Sequence, residues 1–224
     1  MLLAILAFLL GGLAVALLYR FEVFGSSSGS SSEGSGVPAA QAREVAPFSG
    51  VELAGGNNVV VRVGPRQSVV VKADDNLLSR VTTTVKSGVL RVGKTPGSLT
   101  AKSPMSVEVT VPSLDALALT GSGNIVVSGI RSERLTVTLS GAGNLFASGT
   151  ATSLEVTVGG SGNARFTRLL ADDVHAVVSG VGAIFVTATK SLDASISGSG
   201  TIVYAGNPRH VTKSVTGSGA VTGS

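Results

Sequence analysis

The sequence predicts an all-β chain built as a β-solenoid with coils of about 19–20 residues. Three observations predict it. First, six Gly-x-Gly pairs recur: Gly121-Ser122-Gly123, Gly141-Ala142-Gly143, Gly160-Ser161-Gly162, Gly180-Val181-Gly182, Gly198-Ser199-Gly200 and Gly217-Ser218-Gly219. Their first glycines lie 20, 19, 20, 18 and 19 residues apart. Second, apolar residues hold fixed offsets from those glycines. Two before stand Leu119, Leu139, Val158, Val178, Ile196 and Val215, and four after stand Ile125, Leu145, Ala164, Ile184, Ile202 and Val221. Third, 30 glycines and only 13% charged residues, with many Val, Ser and Thr, favour strands and turns over helices.

The chain opens on an unbroken apolar run, residues 2–18, and with Tyr19, Phe21 and Val23 it approaches the roughly 20 residues that cross a bilayer. Residues 1–24 therefore read as a membrane anchor or a signal peptide. Ala14-Val15-Ala16 would serve a signal peptidase, but bulky Leu17 and Leu18 follow, and the length suits a single-pass anchor with an extracytoplasmic head. Secretion or periplasmic release after cleavage is the alternative. No basic n-region precedes the run. Residues 25–46 begin with a Gly/Ser stretch, Gly25 to Gly36, and read as a flexible linker holding a head off the membrane.

The head is expected over 47–224. Val59, Val61 and Val63 alternate ahead of Gly64-Pro65-Arg66-Gln67, and Val69 to Val71 follow, which reads as a hairpin. Asp74-Asp75-Asn76 breaks the pattern. Val81 to Val85 and Val89 to Val92 flank Gly88 and read as a second hairpin, and Val107 to Val111 is a strand. Residues 47–111 thus form an irregular β layer stacked on the N-terminal end of a solenoid over 112–224. Within each repeat, apolar residues alternate with small polar ones, the period of a strand with one buried face. Each unit is strand, corner, strand and return, and stacking lets each coil bury what it cannot bury alone.

The corner glycines have two uses: a sharp bend with positive φ, and close approach of neighbouring coils. Asn124, Asn144 and Asn163 follow the first three corners, with Ala183, Thr201 and Ala220 after the others. They either form an amide ladder or tolerate a turn conformation. The outward strand positions carry hydroxyls, among them Thr138, Ser140, Thr157, Ser179, Ser195 and Ser214. Such a face can dock ligands or another copy. Lys213 and Gly223 replace apolar residues in the sixth unit, so the last coil is expected to fray or to be covered by a second copy.

Composition restricts the chemistry. With no cysteine there are no disulfides, thiolate metal sites or cysteine nucleophiles. The net charge of +4 is spread over scattered arginines, and there is no Trp, so no nucleic-acid partner is expected. The Gly-x-Gly pairs lack the following helix of a phosphate cradle. Asp74-Asp75 and Asp172-Asp173 are too few carboxylates for repeat-bound calcium and read as solvated loop acids. His175 and His210 have no evident partners at matching positions in adjacent units. No metal, cofactor or catalytic residue is predicted.

Phe48-Ser49-Gly50-Val51, the run Val69 to Leu78, Gly88-Val89-Leu90-Arg91-Val92 and units such as Gly121-Ser122-Gly123-Asn124-Ile125 together resemble a bacterial family. It is the "Putative auto-transporter adhesin, head GIN domain" family, and the resemblance covers roughly Val45 to Gly206. It implies an exported bacterial protein with a right-handed parallel β-helix, and brings no catalytic residues. The resemblance implies a leader that many relatives carry as a cleaved signal or a lipoprotein motif, whereas this chain has no Cys. The expected function is a non-enzymatic cell-envelope adhesin or binding module, with cell-envelope polysaccharide or another copy as partner. The alternatives are a carbohydrate-active or carbohydrate-sensing cell-wall protein, and a self-assembling structural solenoid.

Overall fold

A computed structural model describes residues 31–224. The strands run in chain order as β1 (Ser32–Glu33), β2 (Pro38–Ala42), β3 (Gly50–Leu53), β4 (Asn58–Val63) and β5 (Ser68–Asp74), followed by a 3-10 helix over Asp75–Arg80. Then come β6 (Val81–Lys86), β7 (Val89–Lys94), β8 (Leu99–Thr100), β9 (Ser106–Val111) and β10 (Ala116–Leu119). The long strands β11 (Asn124–Leu139), β12 (Asn144–Val158), β13 (Asn163–Val178) and β14 (Ala183–Ile196) each carry most of one coil. The stack continues through β15 (Thr201–Gly206), β16 (His210–Val215) and β17 (Ala220–Gly223). The apolar run at 2–18 lies outside the described residues. Among the described residues no helix is long and apolar enough to cross a membrane.

From β10 onward every pairing is parallel and coil-to-coil. Leu119 faces Leu139, Leu139 faces Val158, Val158 faces Val178, and Val178 faces Ile196. On the other side of the corner Ile125 faces Leu145, then Ala164, Ile184 and Ile202. A third buried side is supplied by residues such as Ile130, Leu135, Leu154, Leu169 and Leu192. Phe166 is the largest fully buried side chain, and it shares its coil with buried Ala164 and Ala176. The small residues leave the volume that the ring fills, as close packing requires.

The corner glycines are explained by close approach. Of the twelve, only Gly217 has a positive φ, so the bend itself does not demand glycine at the others. A Cβ on Gly141 would lie 2.9 Å from the Gly121 carbonyl carbon, and one on Gly180 would lie 2.8 Å from that of Gly159. The second glycines also face a backbone carbonyl of the preceding coil, and some of them meet the interior as well: a Cβ on Gly162 would lie 2.7 Å from Leu139 Cδ2, and one on Gly182 2.8 Å from Val158 Cγ1.

The first half is less irregular than its sequence implies. Strands β3 and β4, joined by a Gly55-Gly56 corner, form a genuine coil: β3 pairs in parallel with β10, and β4 with β11. The chain then leaves the stack, builds its N-terminal end and returns at β10. Strands β7 and β9 pair in parallel with β3 and β4 on their far side. Outside them lie β6 and β5, both antiparallel to their neighbours, with the 3-10 helix between.

Two expectations are corrected here. Strands β4 and β5 are not a hairpin, because β9 lies between them. Their Val alternation marks a buried face but not which strand is adjacent. The Gly64–Gln67 connection steps over β9, with Gly64 N–H donating to Val111 O at 3.0 Å. The linker does not stay free to residue 46. Strand β2 pairs antiparallel with β5, β1 pairs with β8, and Asn76 Nδ2 donates to Glu33 O at 2.8 Å. By contrast β6 and β7 do form a hairpin, turning at Ser87 and Gly88 with φ of 51° and 74°, the geometry of a two-residue turn that matches strand twist.

Asp74 fastens this end. It is fully buried, and its Oδ2 accepts from the backbone N–H groups of Lys102 at 2.8 Å and Ser103 at 3.3 Å. A hydrogen bond from the Ser103 side chain, aided by these two N–H groups, holds its carboxyl below the usual carboxylate range. A depressed carboxylate contributes stability above its unfolded pKa and loses it as pH falls.

Two predictions follow from the packing. Gly141→Ala should cost roughly 2 kcal/mol by forcing the coils apart. Gly159→Ala, whose Cβ would meet nothing nearer than Ser179 Oγ at 3.6 Å, should stay within about 0.5 kcal/mol. Calorimetric melting of the two variants checks this, and equal melting temperatures would refute the corner assignment. Asp74→Asn should lower stability at pH 7 and flatten the loss seen below about pH 4. Urea unfolding at pH 7 and pH 3 measures both limbs, and an unchanged acid slope would refute it.

Candidate ligand-binding face

The residues singled out by the repeat sit at the corners. Gly121, Gly123, Gly141, Gly143, Gly160, Gly162, Gly180, Gly182, Gly198, Gly200, Gly217 and Gly219 bring backbones together and hold no ligand group. The asparagines beside them are hydrogen-bonded to one another. Asn144 Nδ2 donates to Asn124 Oδ1 at 3.0 Å, and Asn163 Nδ2 donates to Asn144 Oδ1 at 3.0 Å. Asn124 Nδ2 donates in turn to Asn58 Oδ1 at 3.0 Å, so β4 supplies a fourth rung. These amides saturate one another along the stack, which is a structural use.

The surface beyond the asparagines is different in kind. Five residues after the first glycines of the first five units stand Val126, Phe146, Arg165, Phe185 and Val203, paired rung to rung, with Val60 of β4 ahead of Val126 and Thr222 of the sixth unit after Val203. All point outward. Val126 is 44% exposed and Phe146 39%. The Arg165 guanidinium lies over the Phe185 ring, 4.6 Å from its centroid, a cation–π geometry. A column of large side chains replaces the hydroxyls expected on outward positions, which hold on the side before the corner.

A bulge shapes this column. Phe146 pairs with Arg165 but the next matched pair is Ser148 with Arg168, so β13 carries one extra residue. The extra residue keeps Arg168 outward, beside Arg165. A shallow cleft of about 390 Å³ results, lined by Val126, Phe146, Ser148, Arg165, Thr167 and Arg168 among others. Among the described residues no carboxylate forms an ion pair with Arg62, Arg165 or Arg168, whereas Lys72, Arg91, Lys102 and Lys190 are paired. The cleft therefore combines an apolar floor, hydroxyls and free guanidinium groups.

A second constellation lies before the corner. Glu155, His175 and Asp193 pair rung to rung in one outward column. His175 Nδ1 lies 3.2 Å from Asp193 Oδ2. This corrects the expectation that His175 lacks a partner: all three stand five residues before their first glycines, and that offset was the available signal. His210 pairs with Ser191 at the edge of the stack and is exposed. The column is open, with His175 and Asp193 side chains 48% and 57% exposed. Among the described residues no hydroxyl hydrogen-bonds to His175. Nothing there desolvates a base or holds a nucleophile. Asp172 pairs with Lys190 at 2.9 Å and accepts from Thr189 Oγ1 at 2.7 Å. The Lys190 hydrogen bond, then that of Thr189, holds the Asp172 carboxyl below its ordinary value.

The comparisons agree with this architecture. The sequence profile of the family described as "Putative auto-transporter adhesin, head GIN domain" matches residues 47–208. The chain belongs to this head GIN domain family. A "putative adhesin" from Bacteroides fragilis NCTC 9343 superposes with a TM-score of 0.72 at 22% identity, covering 86% of this chain and 99% of that one. A "putative lipid binding protein" from Parabacteroides distasonis ATCC 8503 gives 0.56 at 20% identity, covering 87% and 100%. A "putative adhesin" from Parabacteroides merdae ATCC 43184 gives 0.54 at 18%, covering 87% and 99%. At these identities the likeness is one of fold. No curated protein matches the chain in sequence.

The ladder makes a prediction for this head GIN domain. Asn144→Ala removes two amide bonds, leaving Asn163 Nδ2 without its acceptor and Asn124 Oδ1 with only the backbone N–H of residue 144 at 3.3 Å, at about 1–2 kcal/mol in total. Chemical denaturation should show a lowered midpoint at unchanged slope; a midpoint equal to wild type would mean the ladder is incidental.

Proposed function

We propose that this head GIN domain is a non-enzymatic cell-envelope binding or adhesion module. In this reading the apolar run at 2–18 holds it at the membrane as a single pass, and Gly25 to Ser30 form a short tether to an extracytoplasmic head. The observation that carries the binding role is the outward Val126–Phe146–Arg165–Phe185 column with its unpaired guanidinium groups. Large apolar and aromatic side chains beside free cations on a solvent-facing sheet cost solubility and contribute nothing to the core, which favours an interaction role. The family's description as an adhesin head supports a place at the cell surface. The open Glu155–His175–Asp193 column supports a carbohydrate-cleaving role less well, because no cleft surrounds it.

A second reading is self-association. Strand β16 leaves Val211 and Val215 39% and 45% exposed. Light scattering of Val215→Lys beside wild type tests it: an oligomer lost in the variant favours this reading.

The main reading predicts that the full chain, in mild detergent, is retained on isolated cell-wall material. Phe146→Ala/Arg165→Gln should reduce the bound fraction about tenfold or more, since hot-spot truncations cost about 2 kcal/mol or more. Equal retention, or release of soluble sugar from the wall, would overturn it. Surface proteolysis of intact expressing cells checks the location, and a protected head would refute the extracytoplasmic placement.

A further inference from the structure

We infer that the Phe146–Arg165–Phe185 face takes an acidic polysaccharide, a chain of carboxylate-bearing sugars laid along the solenoid axis. The inference rests on the binding-face reading above and names its ligand class.

The guanidinium groups set the charge. Arg presents a planar fork of donors that fits a carboxylate with two parallel bonds. Arg62, Arg165 and Arg168 have no described acidic partner. Arg165 is already ordered by its stacking on Phe185, so less side-chain freedom is lost on binding. The one carboxylate in this column, Glu108 beyond Val60, is neutralised by Lys72 at 2.6 Å.

The aromatic ring sets the rest. The flat C–H face of a sugar meets the electron-rich face of a ring such as Phe146. Phe146 and Arg165 are adjacent rungs, about 4.8 Å apart. A sugar bearing its own carboxylate places an apolar face and an anion that far apart within one unit. Ser148 and Thr167 supply partners for ring hydroxyls.

The column sets the length. From Val60 to Val203 it runs six rungs, five steps of about 4.8 Å or about 24 Å in all, so contacts repeat by translation along the axis. That suits a linear polymer better than a small solute. A membrane surface fits worse, because interfacial binding wants a continuous apolar face. Here the apolar column is one residue wide and broken by Arg165.

Binding of the full chain in detergent micelles to polygalacturonate, dextran, polyphosphate and phosphatidylglycerol vesicles tests this. Wild type, Phe146→Ala and Arg165→Gln/Arg168→Gln are compared, with circular dichroism checking each fold. Polygalacturonate should bind and dextran should not. The double Arg variant should weaken binding about tenfold or more, and raising NaCl from about 0.05 to 0.5 M should weaken wild-type binding. No binding to polygalacturonate, or a double variant within about twofold of wild type, overturns the inference. So does equal or tighter binding of dextran, polyphosphate or vesicles. If one of those binds and Phe146→Ala abolishes it, the face stands and only the ligand class fails. If binding of every probe survives both variants, the face itself is wrong.

Discussion

The spacing between coils, fixed by parallel backbone hydrogen bonds at about 4.8 Å, is the constraint on which everything else depends. A Cβ directed at the preceding coil has nowhere to go at that distance, so glycine recurs where the Cα of one coil lies against a backbone carbonyl of the coil before it. Inside, the same spacing makes each column a shared volume. Phe166 is tolerated because Ala164 and Ala176 in its own coil are small. An amide column is the one polar arrangement that satisfies itself under such translation, since each Asn accepts from the rung on one side and donates to the other. Asn58, Asn124, Asn144 and Asn163 use it.

A stack held by edge-to-edge pairing has ends, and unpaired ends invite further pairing. The N-terminal end is closed by reversing the chain. Strands β5 and β6 run antiparallel to the coil they cover, and β2 adds a further antiparallel strand. Buried Asp74 ties this cap to the 102–103 backbone. The stretch preceding β3 is ordered for the same reason, because its backbone pairs with edges that would otherwise be free.

The solenoid from Gly121 onward was legible in the sequence because translation repeats its pattern. Offsets of −2 and +4 from each glycine pair read directly as buried columns. The Ser87-Gly88 hairpin was legible because its turn is local. The partners of β4 were not. A Val-x-Val-x-Val strand states which face is buried and nothing about its neighbour, so β9 could enter between β4 and β5 without any local signal. The Gly55-Gly56 corner was hidden by its missing second glycine, where Asn57 stands, and by the long excursion before the next coil. Asn58-Val59-x-Val61 after that corner was its available mark. The candidate face lay in the +5 column: Val126, Phe146, Arg165 and Phe185 depart together from hydroxyl residues. Arg168 was beyond reach, because only the bulge in β13 places it beside Arg165.

The division of labour between the two sides of each coil favours recognition over catalysis. Outward positions can change without disturbing the columns beneath them, so a solenoid can carry different chemistry on each side of its corners. One side has charge partners already in place: His175 with Asp193 and Lys190 with Asp172 are matched and open to water. Such pairs contribute little energy and bind little else. The other side has guanidinium groups without anions, next to rings without cover. Solvent exposure on both sides denies a reacting group the dry, shaped surroundings that shift its proton affinity. It does not hinder a long ligand, which gains contact by repetition along a stiff surface. The unmatched side is therefore where an external partner adds most to what the fold already provides.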